Sequence, residues 1–410
     1  ELSSNTAILN NDDIDKLAIG ARQAAQAMGS LLDMEWAIDK SGELFWLQAR
    51  PITTLGSDLN ELDTPIPADH VITRCNVGEM MPGAVCPLTF TVQGRAIEHG
   101  MQHMHLKYAG RPAINNDWSQ INLFFGHMFI NMSGGLESSR YVSINTPETM
   151  GQSLCGGPVP ELKPLSDTAP IWRRWWGTLT FIRYCLQGQK YLTEFETRFK
   201  HGFIAYSNDS QTMMQAINDY FPWILETNEV HLRCSALSGV MEGVIQALVS
   251  GDGQNPDNDQ QAEAARLLAG ASEVESAVMV DRLENVVGII AEHPDAENAF
   301  QTTSPSEALE WLSSDAAGAA KLRFEEFLNA HGHRSIRELC VREKGWIDEP
   351  EKLIVTMQVS VAARRQGNYT PRTADKVALH ELPKLLQKAL PVAHNAIRRR
   401  EHTKSMLVLV

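Results

Sequence analysis

The pattern of apolar positions divides the chain into a short N-terminal part and a long helical part. Residues 12–28 repeat apolar side chains at helical spacing and predict a helix. Two short runs with strand-like composition, 34–38 and 44–48, are joined by the turn-forming segment 39–42, and this arrangement predicts a β-hairpin. Pro51 ends the second strand, because proline has no N–H group to donate to a ladder.

Helical periodicity dominates the rest of the chain. The segments with a period near 3.6 residues are roughly 88–108, 171–202, 208–250, 260–293, 315–330, 351–366 and 375–408. Two stretches rich in polar residues, glycine and proline, 145–170 and 251–260, predict surface loops, and 128–132 predicts a short strand. We therefore expect a mainly α protein, in which a β-hairpin precedes a large helical domain.

A change in composition marks the domain boundary. Residues 55–72 combine glycine, serine, asparagine and two prolines with acidic residues, as linkers do. The predicted organisation is an N-terminal domain over 1–54, a linker over 55–72 and a helical substrate-binding domain over 73–410.

Composition and charge exclude several classes of function. The chain has 410 residues, of which 43% are hydrophobic and 21% charged, so it is globular. A net charge of −14 argues against nucleic-acid binding, because a protein that follows a phosphate backbone needs a basic surface. No apolar run of membrane-spanning length stands out, and the six cysteines form no C-x-x-C pair. We expect a cytoplasmic protein that acts on small molecules without a membrane partner, and the start at Glu1 suggests a piece of a larger enzyme.

One face of the predicted hairpin carries unusual chemistry. If Ile38 lies opposite Glu43, alternation along the strands separates a polar face from an apolar face. The polar face would consist of Asp33, Glu35, Gln48 and Arg50. The apolar face would consist of Met34, Trp36, Ile38, Phe45 and Leu47. Carboxylate, amide and guanidinium groups suit a magnesium–nucleotide complex, although a solvated face with a cross-strand ion pair explains the same pattern.

The sequence of this hairpin resembles a known family. Residues 33–39 (DMEWAID) and 44–54 (LFWLQARPITT) closely resemble the end of the ATP-grasp nucleotide domain in the phosphoenolpyruvate synthase and pyruvate phosphate dikinase superfamily, whose pattern is D-I-E-W…L-Q-x-R-P-I-T. The resemblance implies that Glu35 is a metal and nucleotide ligand and that Gln48 and Arg50 contact the phosphates of ATP. It therefore implies ATP and Mg²⁺ as cofactors.

Further segments resemble the domain that follows ATP-grasp in rifampicin phosphotransferases and related phosphoenolpyruvate synthase-like proteins. They occur in the order of that family and extend the resemblance over nearly the whole chain. The segments are 76–89 (NVGEMMPGAVCPLT), 129–135 (FINMSGG), 331–338 (HGHRSIRE) with 346–351 (WIDEPE), and 400–404 (REHTK).

The last of these segments is a candidate substrate site. Arg400 and Lys404 are four residues apart on a predicted helix, so they share a face and repel each other unless an anion lies between them. Arginine presents a planar fork that suits phosphate. The neighbouring Arg398 and Arg399 support an ordinary solvated basic face as the alternative. The resemblance favours contacts to the acceptor or to the incoming phosphoryl group.

Three other residues are candidates for the same site. His333 and Arg334 follow a glycine in a predicted turn, where a structural hydrogen-bond network is the alternative to substrate contact. Glu79 lies in a loop rich in glycine and proline and could accept a substrate hydroxyl or cap a helix. We expect these residues to line one partly apolar cavity with a cationic end, together with Arg400 and Lys404.

A helical face with Glu98, His99 and His103 has metal-ligand spacing, and His105 lies close by. No third ligand occurs at a suitable spacing. Ordinary surface or core histidines are therefore the favoured interpretation.

The resemblance implies part of a phosphotransferase. In this family a histidine on a mobile domain carries the phosphoryl group from ATP to the acceptor. This chain shows neither the glycine-rich phosphate loop of ATP-grasp nor the G-G-x-x-S-H carrier motif. We expect an N-terminal ATP-grasp part and a phosphohistidine domain as partners, no catalytic residue in this chain and no activity from it alone. The acceptor would be an antibiotic-like or other hydroxylated small molecule. An ATP-dependent condensing ligase, or a helical subunit that completes an enzyme in trans, is the alternative.

Overall fold

The computed structural model describes most of the chain and separates it into two compact units. The described residues are 9–29, 32–52, 60–108, 113–166, 169–199, 207–251, 257–271, 274–335, 337–368 and 378–409. Unit 1 comprises Glu1–Glu61 and unit 2 comprises Leu62–Val410. Helices predominate and the sheets are small, which confirms the predicted mainly α fold with a small β element.

The described residues of unit 1 form one helix and one antiparallel hairpin. Its elements are α1 (Asn11–Met28), β1 (Leu32–Ile38) and β2 (Leu44–Pro51). The helix begins with a capping box in which Asn10 and Asp13 satisfy each other's backbone N–H groups. It ends at Gly29, whose left-handed conformation at φ 66° favours glycine.

The register of the hairpin differs from the prediction. Ile38 pairs with Leu44 and not with Glu43. Beyond Trp36 the pairing shifts by one residue, because Leu47 of β2 is an extra residue without a partner. This β-bulge reverses the faces on which the side chains of one half of β2 lie.

The bulge places a tryptophan on the apolar face. Trp46 pairs with Trp36, so their side chains lie on the same side of the hairpin. A Cβ atom at Gly20 of α1 would lie 2.5 Å from the Trp46 ring, so the helix packs closely against this ring. Phe45 pairs with Ala37 on the opposite face, and the prediction that it shares the Trp36 face is wrong.

Unit 2 is built mainly from helices. Its strands β3 (Ile72–Thr73), β4 (Ile121–Phe124) and β5 (His127–Asn131) form an antiparallel sheet in the order β3-β5-β4. Its α-helices are α2 (Val77–Met80), α3 (Pro87–Thr89), α4 (Arg95–Tyr108), α5 (Met132–Ser138), α6 (Pro147–Cys155), α7 (Ile171–Leu186), α8 (Gly188–Arg198), α9 (Ser210–Ser250), α10 (Asn258–Ala269), α11 (Glu275–Glu292), α12 (Pro305–Ser313), α13 (Ala319–His331), α14 (Glu351–Arg365) and α15 (Lys384–Leu409).

Helix α9 is the central element of unit 2. It packs against α15 over its longest interface and also against α4, α7, α8 and α10. By length and composition alone it could cross a membrane: an 18-residue window has a mean hydropathy of 1.3, and 28% of that window is buried. A helix inside a soluble bundle meets the same criterion, so the expected absence of a membrane partner remains a prediction.

Several apolar clusters form the interior of unit 2. One cluster joins helices α11 to α14 around Phe300, Phe327 and Met357, none of which is more than 1% exposed. A second cluster joins α2, the sheet and the end of α15 through side chains that include Val77 and Leu407. This second cluster holds segments from opposite ends of the unit together.

Part of the predicted linker belongs to unit 2. The backbone N–H of Thr64 donates to the carbonyl oxygen of Leu123 at 3.0 Å, and the Asn122 amide donates to the Thr64 hydroxyl at 2.9 Å. Thr64 is buried by these contacts. Unit 2 therefore begins within the predicted linker, at Leu62, and residues 55–59 of that linker lie outside the described residues.

The predicted loop over 145–170 contains a helix, α6. Thr146 caps its N-terminus, and its hydroxyl accepts from the backbone N–H of Thr149 in a capping box. Pro147 occupies the first position, where its missing N–H has no consequence. Local capping chemistry outweighed the polar composition that had suggested a loop.

Candidate functional site

The polar face of the hairpin gathers its four predicted residues. Glu35 pairs with Gln48 and Asp33 pairs with Arg50, so the predicted grouping on one face is confirmed. The Arg50 Nη2 atom lies 3.3 Å from Glu35 Oε1 and 3.6 Å from Asp33 Oδ2. These three side chains are 56–65% exposed. A cross-strand ion pair and a nucleotide site share this geometry, so the roles of the residues toward ATP remain predictions.

Arg400 is held where α15 meets α9. Its Nε and Nη2 atoms both lie 3.1 Å from Glu401 Oε1, and its Nη1 atom donates to the Ser238 hydroxyl at 3.4 Å. The side chain is 38% exposed. The guanidinium is therefore anchored on one side and accessible on the other.

His231 of α9 lies beside both predicted cations. Its Nδ1 atom is 3.1 Å from the Thr403 hydroxyl oxygen and its Nε2 atom is 3.3 Å from that of Ser235. Since the Thr403 hydroxyl donates to backbone carbonyls of α15, it accepts from Nδ1–H of the imidazole. Burial lowers the pKa of His231 to about 3, and the charges of Arg400 and Lys404 act in the same direction. The imidazole is neutral, and Ser235 donates to its Nε2 atom.

A cavity of about 410 Å³ lies between α9, α10, α11 and α15. Its walls are mostly small or aliphatic, with two serines, one carboxylate and one guanidinium. The lining residues are Ser238, Glu242, Ala265, Leu268, Ala269, Ala271, Val274, Ser276, Ala277, Ile397 and Arg400. Among the five predicted substrate residues, Arg400 is the one that lines this cavity. A volume of this size is in the range of small-molecule sites.

Arg334 and His333 are tied to other protein groups. The Nε and Nη2 atoms of Arg334, which is 6% exposed, lie 2.6 Å and 2.5 Å from Glu338 Oε1. His333 Nε2 lies 3.4 Å from the Ser405 hydroxyl, and burial next to Arg334 lowers the pKa of His333 to about 4. These contacts agree with the structural alternative, and contact of either residue with substrate remains a prediction.

Glu79 lies in the first turn of the short helix α2. Its side chain is exposed, and within the described part of the chain it makes no side-chain hydrogen bond or ion pair. It does not line the cavity at Arg400. Its proposed contact with a substrate hydroxyl remains a prediction.

The segments that carry the family resemblance meet in space. The Thr89 hydroxyl accepts from the Val341 N–H at 3.2 Å, although the two residues are 252 positions apart. A Cβ atom at Gly83 would lie 3.1 Å from the Arg337 guanidinium. Through the His333–Ser405 contact the same segment reaches α15. Segments 76–89, 331–346 and 400–407 therefore form one connected region of unit 2.

The histidines with metal-ligand spacing have other partners. His99 Nε2 and His103 Nδ1 lie 2.8 Å and 3.0 Å from the two carboxylate oxygens of Glu229. Glu98 is fully buried and accepts from the backbone N–H groups of three consecutive residues, 119–121. No group of three potential ligands with metal-site geometry occurs among the residues that the structure describes. Glu98 and His99 therefore make hydrogen bonds within the protein, and His103 lies beside the same carboxylate as His99.

Two family models match the chain. The model of the rifampicin phosphotransferase fourth domain matches residues 231–401, and the model of the pyruvate phosphate dikinase AMP/ATP-binding domain matches residues 1–65. The first match contains every residue that lines the cavity. The second contains the whole hairpin and its polar face.

Two curated relatives agree with these matches. The prodigiosin synthesizing transferase PigC of Serratia marcescens is 31% identical over 153 residues, which are 34% of this chain and 16% of the relative. The uncharacterized phosphotransferase YvkC of Bacillus subtilis (strain 168) is 20% identical over 362 residues, 85% of this chain and 38% of the relative. The chain thus spans well under half of the length of either relative.

The two family models and these relatives support a phosphotransferase-like family, and the N-terminal region of the chain matches an AMP/ATP-binding domain. The chain belongs to the phosphoenolpyruvate synthase and pyruvate phosphate dikinase superfamily. The resemblance seen in the sequence is confirmed.

Three residues of the cavity region were not predicted from the sequence as site residues. Ser238 and Glu242 line the cavity, and His231 lies next to Arg400 and Lys404. All three are on α9, spaced by seven and four residues, so they lie on one side of the helix. The spacing was visible in the sequence, but it acquires meaning only when α15 is known to pack against that side.

Proposed function

We propose that this chain is the acceptor-binding part of an ATP-dependent phosphotransferase, joined to the end of its ATP-grasp nucleotide domain. The observation that carries the proposal is the cavity at Arg400, because all of its lining residues lie inside the match to the rifampicin phosphotransferase fourth domain. The acceptor is a hydroxylated small molecule with an apolar body. The enzyme is cytoplasmic.

The cavity offers what phosphoryl transfer to such an acceptor needs. Apolar walls bind and orient the body of the acceptor and exclude water. The guanidinium of Arg400 stabilises the negative charge of the transferring phosphoryl group, and Lys404, one helical turn further along α15, adds a second cation. His231 lies between α9 and α15 and is neutral, so it adds no third positive charge to those of Arg400 and Lys404.

The polar face of the hairpin fits a metal–nucleotide complex. Asp33 and Glu35 supply the carboxylate oxygens that Mg²⁺ prefers, and Arg50 and Gln48 supply donors for phosphate oxygens. Magnesium takes one or two protein carboxylates and completes its shell with phosphates and water, so two carboxylates suffice. The bound metal–nucleotide complex would supply the phosphoryl group.

The complete reaction requires parts that we place outside this chain. They are the N-terminal portion of the ATP-grasp domain and a domain whose histidine carries the phosphoryl group. The coverage of 16% and 38% of the two relatives supports their existence in a longer protein. By itself the chain should then bind acceptor without turning it over.

Substitutions on α15 test the proposed site. In the longer enzyme, with ATP and rifampicin as probe acceptor, Arg400→Ala and Lys404→Ala should each reduce phosphorylated product about 10²–10³-fold, because a charge-stabilising group is lost. Arg398→Ala, on the same helix with a hydrogen bond to Asn395, is the matched control and should retain activity. Equal losses in all three variants, or none in Arg400→Ala, would contradict the assignment.

A condensing ligase is the second candidate, because the relative with 31% identity is a prodigiosin synthesizing transferase. Mass spectrometry of the products separates the two functions. A phosphorylated acceptor supports the phosphotransferase, whereas a product that joins two organic substrates, with free phosphate released, supports the ligase. A helical subunit acting in trans would show activity only after a separate ATP-binding chain is added.

A further inference from the structure

Among the described residues that line the cavity at Arg400, one has an acidic side chain, and it is Glu242. This residue lies on α9, one turn beyond Ser238, and both side chains line the cavity. The remaining walls consist of aliphatic residues, a second serine and the Arg400 guanidinium. No other side chain among these described lining residues can accept a proton near neutral pH.

Glu242 is not needed to neutralise Arg400. The guanidinium already lies 3.1 Å from the carboxylate of Glu401, which is 13% exposed and serves as its close ion partner. Across the residues that the structure describes, Glu242 makes no side-chain hydrogen bond and no close ion pair. Glu242 is half-buried and lines the cavity, so its carboxylate is available to a ligand bound there.

The surroundings of Glu242 favour proton transfer. Burial raises the pKa of Glu242, and the positive charge of Arg400 opposes that rise without cancelling it. A carboxylate whose proton affinity is increased is a better base toward a hydroxyl group than an exposed one. Perturbed carboxyl groups in clefts are frequent at functional sites.

We propose that Glu242 is the catalytic base that accepts the proton of the acceptor hydroxyl during phosphoryl transfer. The proposal rests on the function proposed above. In this step the O–H bond of the acceptor breaks and its proton moves to a carboxylate oxygen of Glu242. The hydroxyl oxygen forms a bond to phosphorus, and the bond between phosphorus and the donor nitrogen of a phosphohistidine breaks, so that the nitrogen keeps the electron pair.

His231 is the competing candidate for the base, and its contacts argue against it. Its Nε2 atom already accepts from Ser235, and it does not line the cavity. The two neighbouring cations disfavour an added proton on its ring. Glu242 lies on the same helix but inside the cavity, where the acceptor hydroxyl would be.

The assignment of Glu242 as the base also restricts the chemical class of the acceptor. A hydroxyl group must lie between a carboxylate and a guanidinium, while the rest of the molecule contacts Leu268, Val274 and Ile397. About 410 Å³ accommodates a compact apolar body with few polar groups near the reacting oxygen. Hydrophilic acceptors such as simple sugars would leave their other hydroxyls unpaired against these walls.

Steady-state kinetics of the longer enzyme with ATP and 1-naphthol, a compact apolar phenol, as acceptor test the proposal. Glu242→Gln should lower kcat about 10²–10⁴-fold with little change in KM, since a general base is removed and the shape of the cavity is kept. The wild-type rate should fall as pH decreases and Glu242 becomes protonated, and this acidic limb should be absent from the variant. Glu242→Asp keeps a carboxylate at a greater distance and should recover part of kcat. Glu226→Gln, at a surface ion pair of α9 with Arg198, is the matched control.

The outcomes separate this proposal from the function on which it rests. Wild-type turnover with an unchanged kcat in Glu242→Gln overturns the base assignment alone. A raised KM with unchanged kcat also overturns it, because Glu242 would then only bind the acceptor. Absence of any phosphorylated product from the wild-type enzyme, with rifampicin and with smaller phenols, overturns both. Circular dichroism of each variant checks the fold, and Glu242→Asp provides the second test if Glu242→Gln does not fold.

Discussion

Unit 1 and unit 2 differ most clearly in what they bury. No described residue of unit 1 is buried, and Trp36 and Trp46 remain about 40% and 39% exposed although they lie on its apolar face. Unit 2 contains several clusters of fully buried side chains, including Phe300 and Met357. A hairpin packed on one helix is marginally stable in water. The structure of unit 1 therefore depends mainly on local capping and turn sequences, whereas buried apolar side chains stabilise unit 2.

The same difference separates the two candidate sites. Arg50 and Glu35 of unit 1 are more than half exposed, and each is positioned mainly by its strand. Arg400 of unit 2 is fixed by Glu401 and Ser238, and His231 is fixed by two hydroxyl groups. Fixed side chains give precise geometry for chemistry. Unit 1 needs further surface to hold its polar face, which agrees with the proposal that the rest of a nucleotide domain covers it.

The largest expected effect comes from a cavity in the core of unit 2. Phe300→Ala should destabilise the protein by about 3–5 kcal/mol, because a fully buried ring that packs against Trp311 is lost. Chemical denaturation followed by circular dichroism measures the change. The matched variant in unit 1 is Leu47→Ala, whose 63% exposed side chain should cost about 0.5 kcal/mol or less. Similar losses in both variants would show that unit 1 has a core after all.

The fold was predictable from the sequence where local signals decide. Helical periodicity gave the bounds of α9 and α14 to within two residues, whereas α15 begins at Lys384, nine residues after the predicted start at 375. It did not show the break at Gln187 between α7 and α8, because both helices continue the same apolar pattern. The bulge at Leu47 was also hidden, since strand alternation assumes an unbroken ladder.

The candidate site was predictable only in part. The i,i+4 spacing of Arg400 and Lys404 and the family resemblance both pointed to α15. Glu242 carries no signal of its own, because its meaning comes from a cavity formed by four helices. The contact between Arg400 and Ser238 joins residues 162 positions apart, and no periodicity along the chain encodes such a distance. The role of Arg334 shows the reverse problem: its motif is conspicuous, but its charge is paired with Glu338.

An effect of intermediate size is expected from pH, because the free energy of unfolding of the two units should depend on it differently. All thirteen histidines of the chain lie outside residues 1–61, so only unit 2 can lose stability through imidazole protonation. The pKa of folded His231, about 3, is below its ordinary value of 6.5. The stabilisation from the neutral His231 imidazole is therefore fully present above pH 6.5, the ordinary pKa, and is lost as pH falls toward 3, the pKa in the folded protein. Between pH 7 and pH 5 this loss amounts to about 2 kcal/mol.

Chemical denaturation at pH 7 and pH 5 checks the sign of the pH dependence and its assignment to His231. His231→Gln, which cannot be protonated, should reduce the dependence on pH by this amount, and the remaining dependence includes His333, whose pKa is also lowered by burial. His380→Gln, at a side chain that is 84% exposed, should leave the dependence as it is. A steeper dependence in His231→Gln would mean that the imidazole is charged in the folded protein, which contradicts the neutral ring inferred from its hydrogen bonds.

The smallest effect on stability is expected in unit 1, at Arg50. Its ion pairs with Asp33 and Glu35 connect side chains that are 56–65% exposed, where water screens the charges. Arg50→Ala should therefore change the free energy of unfolding by about 0.5 kcal/mol or less, and a double-mutant cycle with Glu35→Ala should give a coupling energy of the same size. The same variant in the longer enzyme should weaken ATP binding, measured by calorimetry, because a phosphate donor is lost. A coupling energy above about 1.5 kcal/mol, with ATP affinity unchanged, would assign Arg50 to the architecture of the hairpin and remove it from the nucleotide site. A small effect on stability together with a lost affinity for ATP would instead mean that this exposed face serves its ligand, since its ion pairs add little to the stability of unit 1.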